Sequence, residues 1–446
     1  MLKEMLRENV STSDYGVTKP LFCAAPWTES VLNHDGALRV CAKLGAITDW
    51  LKLGLKEAFN GKAYQDFRFK VANGIIPNSI CKNCVETKTT RSLSEALANS
   101  IESIKHDIKF RIESYELNEI LRIYRILKNE AGNGQLKDSI NAYRRTLGSL
   151  SYKYPVIAPY FSKLEKLLDV SVSFYNKDLI AKVIAPYRLV GLKSKCNARC
   201  LHCPGRYNGW IDREDDLDEK YIDEAFSFSD DITCFFMMGA EFLFIKNWKK
   251  ISLILKDAYI KPAIGTNGIL LTPDTIRFLI DNKICNLLNI SLDGGTKETI
   301  ERVRVNVNYD KLIKNIQYLF SYAYEKKCNF NLNFSFVIMK STYKEFPELI
   351  KLMCETKKKI NGSSFFPELS FGASNFDPFD IPGYNEFVKT EHITLVNEAE
   401  LKKMFNRARE YSEKYNVYVG VYKDYSIKNY IDAGYPAPTI AGFHVP

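Results

Sequence analysis

Three cysteines fall in the run Cys196-Asn-Ala-Arg-Cys200-Leu-His-Cys203, spaced CxxxCxxC directly after the apolar stretch Tyr187 to Leu192. That spacing lets one loop present three thiolates to one object. An iron–sulfur cluster normally takes four cysteine ligands, so a loop supplying three leaves one iron open to a group that is not protein. The competing reading is structural zinc, but such sites are closed by four ligands, and the nearby candidate, His202, abuts Cys203 with no spacer. A second set, Cys23, Cys41, Cys81 and Cys84, brackets Leu21 to about Thr90. Four thiolates with one CxxC pair suit either tetrahedral zinc or a four-iron cluster, and spacing alone does not choose. So small a unit depends on its metal to fold.

The elements that position these residues follow from the hydrophobic pattern. Around Asn33-His-Asp-Gly36, two short apolar runs predict a hairpin, followed by helix over Trp50 to Ala72. Residues 91–185 carry apolar positions at helical intervals, with breaks at Ala131-Gly-Asn-Gly134 and Pro155. From about Pro186 strands and helices alternate. Strands are expected at Tyr187 to Leu192, Thr233 to Met238, Ala263 to Gly265, Leu287 to Leu292, Asn331 to Ile338 and Leu369 to Phe371. Strand–helix alternation implies a mainly parallel α/β sheet, and six strands make a partial barrel rather than a closed one. Asp377 to Tyr384 reads as a Pro/Gly loop, Glu398 to Lys414 as a helix and Val417 to Val421 as a further strand. The expected division is thus a Cys-rich module at 1–90, a helical connector at 91–185, a partial (βα)6 barrel at 186–375 and a C-terminal extension at 376–446.

In parallel α/β folds ligands bind at the carboxyl ends of the strands. There the sequence reads Met238-Gly-Ala-Glu241, Thr266-Asn-Gly268 and Ser291-Leu-Asp-Gly294. Small residues let a ligand approach the backbone, and Glu241 adds a carboxylate. Ser291 and Asp293, two apart, share one face of the strand. Turn chemistry alone also accounts for Asn-Gly and Asp-Gly. Arg304 offers a guanidinium to a carboxylate, with a solvated helical arginine as the plainer alternative.

Composition narrows the class. At 46% hydrophobic and 26% charged residues, the chain of 446 is globular rather than disordered. The first twenty residues have no apolar core, and no run reaches the ~20 apolar residues of a membrane span. A cytoplasmic protein is expected. The net charge of +9 is modest for this length, and a solvated Lys-rich surface explains it better than a nucleic-acid partner. Eleven cysteines without a secretory signal read as metal ligands before disulfides; Cys234, Cys285, Cys328 and Cys354 stand alone and are expected in the core.

Taken in series, the cysteine motif, Gly239-Ala-Glu241, Thr266-Asn-Gly268 and Ser291-Leu-Asp-Gly294 resemble the radical S-adenosylmethionine (SAM) superfamily over about Pro186 to Phe371. The resemblance implies a [4Fe–4S] cluster on Cys196, Cys200 and Cys203, with SAM at the open iron. The reduced cluster then cleaves SAM to a 5′-deoxyadenosyl radical that takes a hydrogen atom from a substrate. By the same resemblance the segment Gly239, Ala240, Glu241 meets the SAM amino group, and Ser291 and Arg304 its ribose or carboxylate end. Asp293 joins this cofactor-binding set, and His202 lies beside the adenine. Ala240 departs from the usual Gly-Gly-Glu.

The N-terminal residues Cys23-Ala-Ala-Pro-Trp27, Asp35-Gly36, Cys41, Tyr64-Gln-Asp-Phe-Arg68 and Cys81-Lys-Asn-Cys84 resemble the auxiliary-cluster domain of these enzymes, SPASM in its full form and twitch in its short one. Four cysteines imply one auxiliary [4Fe–4S] cluster, on a module placed before the barrel instead of after it. The implied activity is peptide or protein modification, with oxidation or epimerisation of a sugar-like alcohol as alternative and a non-catalytic iron–sulfur scaffold as a reading of another class. Implied partners are SAM, a small electron donor such as flavodoxin or ferredoxin, and a peptide or carbohydrate substrate, with no membrane.

Overall fold

The computed structural model describes residues 23–41, 43–86, 136–193, 195–213, 217–239, 241–260, 262–285, 287–328, 330–362, 367–374 and 381–421, with single residues at 93, 104, 118 and 376. They divide into two units, one running up to Leu189 and adding Asp223–Cys234, the other taking Val190–Ile222 and the residues from Phe235 onward. The break expected at Ala131 to Gly134 lies outside the described residues.

In the first unit, β1 (Glu29–Asn33), β2 (Ala37–Arg39) and β3 (Thr48–Asp49) form an antiparallel meander. Gly36 closes the hairpin, its N–H donating to Asn33 O at 3.1 Å. Its φ of +91° and a would-be Cβ 2.5 Å from Asp49 Oδ1 leave room for glycine alone. The helix expected over Trp50 to Ala72 is three pieces, Trp50–Leu53, Leu55–Asn60 and Lys62–Ala72. Gly54, at φ +79°, separates the first two, and Gly61 the second pair. Trp27, Trp50, Phe59 and Tyr64 fill the core between these pieces and the hairpin. Helices Leu136–Lys153 and Ala158–Tyr175 meet at a short 3₁₀ turn that starts at Pro155, the expected break.

Buried cations tie this unit together. Arg68, 0% exposed, donates to Pro26 O, Asn60 Oδ1 and Leu179 O, each at 2.9 Å, and stacks on Phe59 and Tyr64. Lys163 reaches Ser229 O and Asp230 O, and Arg188 reaches Ala225 O and Ser227 O. Burial pulls the Arg68 and Lys163 cations down to about 10 and about 8 respectively.

The remaining strands are β4 (Tyr187–Lys193, crossing the division of the chain), β5 (Arg199–Cys200), β6 (Cys234–Gly239), β7 (Ala263–Thr266), β8 (Leu287–Ser291), β9 (Arg304–Val305), β10 (Asn331–Val337), β11 (Glu368–Ser374) and β12 (Tyr418–Val421). Seven lie in the order β12-β11-β10-β8-β7-β6-β4. Along this order the pairs β6–β7, β7–β8, β8–β10, β10–β11 and β11–β12 are parallel. Each expected strand is present within three residues of its expected ends. Helices follow the strands, and several start where a side chain caps them: Thr272 before Pro273–Asp281, Thr296 before Lys297–Val303 and Asn308 before Tyr309–Glu325.

The two faces of this sheet differ in kind. Leu288, Ile290, Leu332, Phe334, Phe336, Leu369, Phe371 and Ala373 are buried. The alternate positions carry amides and hydroxyls that bond one another across strands: Asn333 to Asn289 at 2.7 Å, Ser335 to Ser291 at 3.0 Å, and Ser370 to Asn331 at 2.8 Å and to Asn333 at 3.0 Å. A parallel sheet covered by apolar layers on both faces reads as a continuous hydrophobic run. Here the period of two leaves one face polar.

Two elements differ from the sequence expectation. Of the loop expected over Asp377 to Tyr384, residues 377–380 lie outside the described residues, and from Pro382 the chain is a helix, Pro382–Glu391, whose proline stands in the first turn where no backbone donor is needed. The helical stretch that strand–helix alternation calls for between β4 and β6 is short, a 3₁₀ turn, Glu219–Tyr221, and Ile222–Ala225.

Candidate active site

The CxxxCxxC loop is fastened by elements far from it in sequence. Strands β5 and β9 pair antiparallel, setting Cys200 opposite Arg304, and Leu201 N–H donates to Val303 O at 2.9 Å. From the end of β7, Asn267 Nδ2 donates to Asn197 Oδ1 at 2.7 Å and reaches Cys196 Sγ at 3.7 Å. On the other side Tyr207 Oη donates to Leu201 O at 2.8 Å.

Donors converge on the sulfurs. Ala198 N–H lies 3.4 Å from Cys196 Sγ, and Arg304 Nη1 lies 3.6 Å from Cys200 Sγ. Burial pushes the Cys196 thiol up to about 11 and the Cys200 thiol up to about 12, with the neighbouring Cys203 adding to both and Cys196 to Cys200. Thiols so buried ionise only against a compensating cation, which a bound metal group supplies. Among the described residues no His, Cys, Asp or Glu group is drawn tightly enough for a single metal ion. A cubane places its ligands at separate corners, so neighbouring, hydrogen-bonded thiols fit it without converging on one point.

Asp293 is the hub beside this loop. It is 0% exposed and sits at φ 58°, a left-handed conformation that aspartate tolerates better than most residues. Its Oδ1 accepts from Val337 N–H at 2.7 Å, and its Oδ2 lies 2.7 Å from Arg304 Nη2 and 3.5 Å from His202 Nε2. Burial holds the His202 ring below its ordinary pKa, and its buried Nδ1 has no partner among the described residues. An orphaned ring nitrogen at this position suits a group that would be bound there. Ser291 reaches Ser335 on the polar face, and Gly239 ends β6; Ala240 lies outside the described residues.

Glu241 is 1% exposed. Its Oε2 accepts from Asn267 N–H at 2.7 Å and its Oε1 from Leu243 N–H at 3.4 Å. Burial outweighs these bonds and pushes the carboxyl up to about 7. A pKa raised on folding contributes stability that is full below the ordinary 4.5 and is lost as pH rises through about 7. Relative to Glu241→Gln, the wild-type protein is therefore expected to lose about 3 kcal/mol between pH 4 and pH 8. Calorimetric melts of both proteins across that range check this; parallel profiles would refute it.

Sequence reasoning missed the Asn267 amide and the β5–β9 bridge. Strands of two residues show no period, and Asn267 was visible only as half of an Asn-Gly turn.

In the first unit, Cys81 and Cys84 lie one helical turn apart on Ser79–Glu86. The Cys81 thiol is pushed up to about 12, first by burial and then by Cys23, Cys41 and Cys84, so the four are neighbours. Lys43 Nζ stands 3.8 Å from Cys84 Sγ. Of the solitary cysteines, Cys354 is buried and Cys285 and Cys328 are half-buried. No helix among the described residues is long and apolar enough to cross a membrane.

Known proteins compare with this chain as follows. The structure of Streptococcus suis SuiB bound to S-adenosylmethionine aligns at 16% identity and a TM-score of 0.44, over 61% of this chain and 59% of that one. SuiB bound to precursor peptide SuiA aligns at 15% identity and 0.43, over 60% and 56%. The alignments thus span less than two thirds of those proteins. No curated protein matches. The model of the Radical SAM superfamily matches residues 192–353, from the end of β4 into the helix after β10, and this stretch of the chain is therefore a radical SAM domain.

Proposed function

We propose that the chain is a radical SAM enzyme whose Cys196, Cys200 and Cys203 hold a [4Fe–4S] cluster. The observation that carries this reading is the loop itself: three neighbouring thiols, two with N–H donors aimed at sulfur, fastened by Asn267 and Arg304. When bound, the cluster and SAM supply a 5′-deoxyadenosyl radical, which removes a hydrogen atom from the substrate.

The chain's own residues bind and orient. Gly239, Ala240 and Glu241 form the segment that takes the SAM amino group. Glu241 fixes the turn after β7 through Asn267 N–H, coupling that segment to the cysteine loop. Ser291 and Arg304 serve the ribose or carboxylate end, and His202, whose pKa burial lowers, lies beside the adenine. Asp293 orients both His202 and Arg304. In this reading the sheet is a partial barrel whose polar face lines the interior.

That face also bears on the substrate. The amides and hydroxyls that bond one another on β8, β10 and β11 suit a polar, hydrogen-bonding partner. A peptide backbone meets this requirement, so we assign the chain to peptide or protein modification, with the helices at 136–175 as part of a docking surface. Sugar hydroxyls meet it too, and oxidation or epimerisation of a sugar-like alcohol is the second reading. Cys23, Cys41, Cys81 and Cys84 hold an auxiliary [4Fe–4S] cluster in a twitch-like module. A small electron donor such as flavodoxin or ferredoxin reduces the protein in the cytoplasm.

Anaerobic reconstitution with iron and sulfide, followed by dithionite and SAM, tests the proposal. It predicts 5′-deoxyadenosine and about eight irons per chain. Iron bound without that product would leave a scaffold protein. About four irons, with zinc retained at the N-terminal cysteines, would remove the auxiliary cluster alone.

A further inference from the structure

The Arg304 guanidinium is engaged by the protein on both sides of its fork. The residue is 5% exposed, Nη1 points at Cys200 Sγ and Nη2 is taken by Asp293. Three constraints keep it there. The β5–β9 register sets it opposite Cys200. Asp293 holds the other side of its fork, and Asp293 is itself pinned by Val337 N–H and by its left-handed backbone.

We propose that Arg304 acts through Cys200 to raise the reduction potential of the cluster, with Asp293 setting how much of its positive charge the cluster feels. This rests on the cluster assignment above. Reduction adds an electron to the cluster, and a cation or hydrogen bond at a ligand sulfur stabilises the added charge. Little water reaches the pair to screen it. The carboxylate lies behind the guanidinium and opposes its charge, so the two side chains push the potential in opposite directions. The arrangement makes a signed prediction.

The test is an EPR-monitored redox titration of the SAM-domain cluster in the full chain, for wild type, Arg304→Met, Arg304→Lys and Asp293→Asn, with iron and sulfide assayed in each. Arg304→Met should disfavour reduction at least tenfold, a fall of about 59 mV for a one-electron couple. Arg304→Lys, which keeps the charge and one donor, should recover part of that shift. Asp293→Asn should raise the potential, because the amide keeps the turn but drops the opposing charge. A purely structural role predicts lost iron without opposite-signed shifts. Equal potentials in wild type and Arg304→Met with full iron would overturn the inference. If Arg304→Met cannot retain its cluster, Arg304→Lys and Asp293→Asn decide: shifts of opposite sign support it, and shifts of the same sign or none overturn it. Wild type lacking a reducible cluster at the three cysteines would instead refute the proposed function.

Discussion

In the anaerobically reconstituted protein, Cys200→Ala is expected to abolish 5′-deoxyadenosine formation and to lower bound iron by about four per chain. Cys200 has the strongest structural claim of the three cysteines. It lies within β5, is 9% exposed, and its sulfur stands 3.6 Å from Arg304 Nη1. Alanine leaves Arg304 aimed at a methyl group and leaves the cluster without one of its three ligands. Iron and sulfide assays with chromatography of the nucleoside product check both parts. The irons assigned to Cys23, Cys41, Cys81 and Cys84 should remain, because those thiols belong to the other unit. Full product formation by Cys200→Ala would refute the ligand assignment, and loss of all iron would refute separate sites.

Arg68→Ala is expected to be the most destabilising single change in the first unit. The guanidinium satisfies Pro26 O, Asn60 Oδ1 and Leu179 O at once, while its plane packs on Phe59. Truncation leaves three buried acceptors without that donor and opens a cavity beside two rings. An unsatisfied buried group costs about 1–3 kcal/mol, and large-to-small core changes add a cavity term of similar size. Removing a cation that burial already disfavours offsets part of this, so a net loss of about 3–5 kcal/mol is expected. Arg68→Lys should recover a minority, since one ammonium cannot span three acceptors in a fixed fork. Denaturant titration of the full chain measures it; a change below about 1 kcal/mol would show that the carbonyls find other donors.

These two residues show what the sequence made legible. The cysteine spacing and the period-two strands of the second unit needed no long-range information, and the parallel sheet followed from strand–helix alternation. Arg68 was visible as part of a motif, yet its task depends on Leu179, which only the fold brings to it. Arg304 shows the same limit. Its position after Asp293 suggested a charge pair, which exists, but its approach to Cys200 depends on a two-residue bridge without periodic signal. The helix at Pro382 was hidden for a different reason: a proline read as a breaker also initiates helices when it occupies their first turn.

The alternation along β8, β10 and β11 also constrains how such a sheet can change. Its polar face depends on parity: Asn289, Ser291, Asn333 and Ser335 share one side because each is an even number of residues from its neighbour on the same strand. Substitutions can alter that lining one group at a time and so tune what it accepts. Insertion or deletion of one residue within β10 cannot be so graded. It would carry Phe334 and Phe336 to the polar side and bury Asn333 and Ser335 against the helices. Length variation in a family with this architecture is thus confined to the connections, while the strands vary by replacement alone.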